Sequence, residues 1–392
     1  MNRIIYFVFL FIISVSLYII EQNTMFGTDI VGAKNTYTTI FIIAMLFASI
    51  TSLFLSNNYL IRDTLSKRIT MLMVVIYLIS LAYAVAYPFA ARNTYGMIIL
   101  PLFTFYFTAN CTQYVKNDNR IIWAMTIVAI LLSVYFLMNY HNNLNYNKDA
   151  QSNASYAILY LLPFMLCHKK KLFQILFIVL VLIVVMYSMK RGGFLALLGA
   201  VGVYLFISQI SLKKRKFNLF SIFLLSIVSI VLYYGIVYIN DVILGGNLFN
   251  RFEDISDGSG RLSIYAYYWN MFTESDVVSL LFGRGWGGSI RNATIGVTCH
   301  NDLLEVLINF GIIGFVCYIS FIISLVKLCL KMIKNKHIYA PAMGASLAMF
   351  FINSMVSHII IYPWYLMEYF LFWGFMSYSV NNNCIINKYH RR

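Results

Sequence analysis

The sequence predicts an all-α, polytopic integral membrane protein of about twelve transmembrane helices, with one large extracytoplasmic loop carrying short helices. Three observations lead there. Hydrophobic residues make up 61 % of the 392 positions and charged residues 11 %, where soluble domains carry about 25 % charge. Mean hydropathy is +0.76. Apolar runs of the ~20 residues needed to cross hydrocarbon recur along the chain. The same numbers exclude disorder, which requires few apolar and many charged residues.

The runs fall at 4–20, 38–56, 69–89, 97–115, 121–138, 153–167, 172–188, 194–210, 219–239, 303–326, 340–360 and 362–380. Backbone groups in lipid must pair within their own segment, so each run reads as a helix. The first run lacks a small-x-small cleavage site and reads as a retained span. The sixth is short and contains Pro163, which bundle neighbours can accommodate.

Orientation follows from Lys and Arg. With the N-terminus inside and twelve alternating spans, 20 of the 29 basic residues are cytoplasmic, including Lys169 to Lys171, Lys213 to Lys216 and Lys327 to Lys336. Both termini are then cytoplasmic. Short clusters between apolar runs are loop anchors, so the net charge of +15 does not imply nucleic acid, which needs a basic face or arm. The partner implied is the bilayer. Of the six cysteines none forms a CxxC pair, so neither a metal nor a redox centre is indicated; no cofactor and no disulfide are expected.

Residues 1–392 read as a single membrane domain, and 240–302 as its large outer loop. That loop is Gly-rich and polar, and loops of such length are usually functional or disordered. Two amphipathic pieces near 261–274 and 276–282 predict short helices lying over the membrane surface.

Four groups carry chemistry. Lys190-Arg191 sits between apolar runs on the face where basic residues are disfavoured, as a functional pair or a snorkelling anchor; Gly192 and Gly193 would let a bulky anion approach the backbone. Arg261 follows Gly-Ser-Gly. With Ser259 as a helix cap it would lie at a helix N-terminus, where the dipole favours an anion; the alternative is a solvated surface Arg. The segment FGRGWGG weakly resembles a phosphate loop but lacks GK[ST], and a turn returning the chain to the membrane fits it better; Arg284 within it is a third basic contact. His300 stands where the loop meets the tenth span, as a base for an attacking hydroxyl or an ordinary interfacial residue. Asn301, Asp302 and Glu305 give it polar support, and Gly311 and Gly314 allow close helix packing.

His300-Asn301, nine residues and then Gly311-Ile312-Ile313-Gly314 resemble the H[NSQ]-x9-GxxG pattern of the O-antigen ligase and O-antigen polymerase superfamily. Arg191-Gly192-Gly193-Phe194-Leu195 resembles its R-x3-L pattern, and SGRLSIYAYYW and LLFGRGWG resemble what precedes the histidine there. The likeness covers roughly residues 185–320. It implies a metal-independent glycosyltransferase that moves a glycan from undecaprenyl diphosphate to a hydroxyl on the periplasmic face of the bacterial inner membrane. Arg191 and Arg261 would hold the donor diphosphate, with Arg284 as a further contact, and His300 would meet the acceptor hydroxyl. The expected partners are undecaprenyl-diphosphate-linked oligosaccharides, with a chain-length regulator and a flippase as candidate protein partners. A polysaccharide polymerase is the first expectation and the ligase acting on lipid A core the second. A flippase or transporter would instead place charges deep in the spans, where Glu368 is the main candidate.

Overall fold

A computed structural model describes residues 64–86, 101–109, 112, 118–144, 154–188, 190–211, 237, 260–357 and 359–389. The expected spans at 4–20, 38–56 and, apart from residue 237, 219–239, and the outer loop up to residue 259 with Ser259, lie outside these residues. Within them all regular structure is helical. The helices are α1 (Thr64–Ala86), α2 (Asp118–Leu144), α3 (Ala154–Leu166), α4 (Lys171–Tyr187), α5 (Arg191–Ser211), α6 (Arg261–Thr273), α7 (Val277–Phe282), α8 (Gly288–Asn292), α9 (Asp302–Lys334), α10 (Ala340–Val356) and α11 (Pro363–Tyr389), with a further helical stretch at 101–109.

Each apolar run within the described residues is thus a helix. Among them Thr64–Tyr83, Asn119–Met138, Arg191–Ile210 and Asp302–Lys334 are long and apolar enough to cross a membrane; 155–166, α4 and α10 are shorter apolar helices. The chain is a helical membrane protein.

Helices in lipid associate through close packing rather than water exclusion, so small residues mark their contacts. α5 and α10 run antiparallel on this basis. A Cβ on Gly199 would strike Ile352, and one on Gly344 would strike Ile207. Beside this pair, Trp373 of α11 packs its ring against Phe321 of α9 and Phe350 of α10, at centroid distances of 5.6 and 5.3 Å.

α9 differs from the expected uninterrupted helix. Gly311 takes φ 62° and ψ −167°, a conformation essentially restricted to glycine. The break frees the carbonyls of Ile308 and Asn309 from helical partners. The loop after α7 fills them: Arg284 N–H donates to Ile308 at 2.9 Å and Gly285 N–H to Asn309 at 2.8 Å. A Cβ at Gly311 would collide with the Leu281 carbonyl. Tyr83 of α1 donates to the Gly283 carbonyl on the other side. The FGRGWGG segment is therefore a turn clamped to a broken helix, with the Arg284 and Gly285 amides given to α9. Gly311 permits the close packing expected of it, against the end of α7, and also makes this break.

Candidate functional site

The site lies around the C-terminal end of α10, where four chain segments converge. Lys190 and Arg191 open α5, and Gly192 and Gly193 follow beneath Tyr156 of α3. A Cβ on Gly192 would stand 2.9 Å from the Tyr156 hydroxyl and 3.4 Å from Val356. Tyr156 bonds to the Gly193 backbone and the Ser357 side chain, and its hydroxyl lies within the field of Arg261.

Arg261 is the first residue of α6, as expected, but the cap differs. Gly260 occupies the N-cap with φ 75° and no side-chain cap bond, so a left-handed glycine turn starts the helix. One helical turn on, Tyr265 faces the same way. Its hydroxyl donates to the Met355 carbonyl at 2.9 Å and the His300 carbonyl at 3.2 Å, joining α6, α10 and the loop before α9. Tyr268 continues the row and donates to Val297. α6 thus fastens the loop that ends in His300.

His300 itself has φ 50°. A non-glycine residue in this region is uncommon, with His among the types enriched there, and such conformations persist where surrounding contacts dictate them. Here Tyr265 holds the His300 carbonyl, and Asn301 begins α9 by accepting from Leu303 N–H at 2.9 Å and Leu304 N–H at 3.3 Å. Burial, then Arg261, then Lys190 push the imidazole pKa below its usual 6.5. All three disfavour the imidazolium, so the ring is neutral at neutral pH and can accept a proton. Lys190, Arg261 and His300 are thereby brought to one place, with Arg191 and Asn301 next to them in the chain.

Asp302 and Glu305 do different work. Asp302 is fully buried. It accepts from Ile359 N–H at 2.8 Å, Ile360 N–H at 3.1 Å and the Ser354 hydroxyl at 2.6 Å, latching the α10–α11 connection to the start of α9. Glu305, also fully buried, accepts from Ser289, from Asn309 at 2.9 Å and from Cys299 N–H at 3.0 Å. Both support the histidine by fixing its flanks. Among the described residues no three His, Cys, Asp or Glu side chains gather as a metal-ligand set.

Arg284 is not brought to the others. Its guanidinium donates to Ser275 at 3.0 Å, past the far end of α6, and the helix from Arg261 to Thr273 is about 18 Å long at 1.5 Å per residue. A diphosphate held by Arg261 is out of its reach.

Tyr265 and Tyr156 were not among the residues singled out from sequence. Tyr265 carried a signal, four positions after Arg261 on one helix face; Tyr156 carried none, being remote in the chain from every motif.

A helical membrane protein with a neutral imidazole set among fixed cations is the class that fold and site define. Residues 176–319 match a family model described as O-antigen ligase, which contains all the site's basic residues and His300. The match agrees with the resemblance to the O-antigen polymerase and ligase superfamily carried by the motifs. No curated protein matches the chain.

Proposed function

We propose that this protein is an O-antigen-type polysaccharide polymerase. It transfers a growing glycan from undecaprenyl diphosphate to the terminal sugar hydroxyl of a lipid-linked repeat unit, at the periplasmic face of the bacterial inner membrane. The carrying observation is the convergence of Lys190 and Arg261 on a half-buried, neutral His300. The chemistry follows from those groups. The acceptor oxygen bonds to the donor's anomeric carbon as the bond from that carbon to the diphosphate oxygen breaks. The acceptor proton passes to His300, and the diphosphate leaves with its added charge against Arg191 and Arg261. Fixed guanidiniums fit a phosphate bidentately.

The helix ends meeting at the site are those that the Lys and Arg distribution assigns to the outer side, which supports the periplasmic placement. Turnover by this route uses no divalent metal: chelation by EDTA leaves the purified protein's activity on a lipid-linked donor unchanged, and a metal-dependent rate would overturn the metal-free account.

The family description favours a second reading, the ligase that moves the finished chain onto lipid A core. The two use the same arginines and histidine. Deletion separates them: a single repeat unit on lipid A core is the polymerase outcome, and long chains left on the carrier lipid are the ligase outcome.

A further inference from the structure

A second cationic feature stands at the opposite end of α6 from Arg261 and His300. Arg284 is half-buried, and its guanidinium is held by the neutral Ser275 hydroxyl, with no carboxylate partner among the described residues. Arg291, on α8 after that loop, donates to the Arg284 carbonyl at 3.0 Å. The adjacent carboxylate of Asp276 is engaged at the start of α7, accepting from Val278 N–H at 2.9 Å, Ser279 N–H at 3.0 Å and the Ser279 hydroxyl at 2.7 Å; Glu274 is exposed.

Just before Arg284 in the chain lies α7, whose sequence is VVSLLF and none of whose residues is buried. Val277 is 70 % exposed, Val278 62 % and Phe282 44 %. The placement of α7 follows from α9, whose apolar run at 303–326 is followed at the far end by Lys327, Lys331 and Lys334. α7 is clamped through Leu281 and Gly283 against Gly311, in the near half of that run. Ile312, Val316, Ile323 and Leu330 are exposed along one face of α9, and the exposed apolar residues of α7 stand beside the near end of that stripe.

We propose that α7 with Arg284 and Arg291 is a second lipid-phosphate site, α7 lying in the outer leaflet and the two guanidiniums taking the headgroup phosphate of a membrane-embedded lipid. Its assignment to the acceptor rests on the polymerase reading. A polymerase joins two glycans that are each anchored through a lipid diphosphate. The donor's diphosphate must sit at the reacting carbon, but the acceptor's reacting hydroxyl is at the other end of its repeat unit. Two phosphate sites held apart by the length of a short glycan are what that reaction requires, and α6 provides the separation.

The test uses the full-length protein in phosphatidylcholine nanodiscs with a diazirine-bearing short-chain prenyl diphosphate, reading crosslinked peptides by mass spectrometry. Crosslinks are expected both in 277–282 and around 190–193 and 261–265. Arg284→Gln/Arg291→Gln should lower the 277–282 crosslinks about tenfold or more, the scale of one charged hydrogen bond, and leave the other set in place; Arg284→Lys/Arg291→Lys should restore them in part. Arg291→Gln alone, at an exposed position, should give an intermediate loss and guards against misfolding of the double variant. Competition by unlabelled prenyl diphosphate but not by phosphatidylglycerol supports the carrier lipid as occupant. Equal competition by phosphatidylglycerol supports the lipid-phosphate site and assigns it to bulk anionic lipid. Displacement by inorganic phosphate alone, absence of crosslinks in 277–282, or their persistence in the double Gln variant would overturn the site. Activity in a His300→Ala protein would sink the polymerase reading and leave this crosslinking result standing, so the two fail separately.

Discussion

His300→Ala is expected to stop chain extension while the protein still accumulates in the membrane. A positioned base contributes about 10²–10⁴-fold, so residual turnover should fall at or below one part in a hundred. The ring projects from a loop fixed independently by Tyr265, Glu305 and the Asn301 cap, and its removal should not unfold the bundle. Surface polysaccharide of full length in this variant would remove the acceptor role. The same residue sets the pH dependence. The active form is the neutral imidazole, and burial with Arg261 and Lys190 holds its pKa below 6.5. The rate constant should therefore be level through neutral pH and decline only as pH falls through that depressed value. A midpoint above the usual histidine range would show that the cations do not face the ring.

Arg261→Ala is expected to cost about 10²–10³ in the rate constant, the scale for removing one preorganised donor from a developing anion. Arg261→Lys should retain more activity, since it keeps the charge and loses the two-pronged geometry. Arg191→Ala should behave similarly. A second signature distinguishes Arg261 from a structural arginine. Removing its charge relieves the imidazolium, so Arg261→Ala should move the acid limb of the pH profile toward higher pH, and Arg261→Lys should not. Tolerance of Ala at both arginines would exclude diphosphate binding.

The family likeness and the geometry weigh different residues. The pattern that carries the likeness includes Gly311 and Gly314, and the structure shows why the first must be glycine: its backbone breaks α9 and receives the loop after α7. The polar residues after His300 looked like supports for its chemistry, and they are supports in a mechanical sense. Asp302 and Glu305 hold the connection before α11 and the loop before Cys299, and with those carboxylates engaged the imidazole remains the group placed to take a proton. Arg284, grouped by sequence with Arg191 and Arg261 because all three are basic and in the same half of the chain, is separated from them by the length of α6.

The sequence by itself determined the helical membrane class, the helical character of each described apolar run and the start of α6 at Arg261. These are local properties: a run of apolar side chains must leave water, and its backbone must pair internally, whatever surrounds it. The tertiary structure alone decided which charges share a site, that Tyr156 and Tyr265 build its walls, and that the Gly-rich segment closes a gap in α9. Those contacts join positions from tens to more than a hundred residues apart, and their energy exists only when the helices are packed, so no local pattern can encode it.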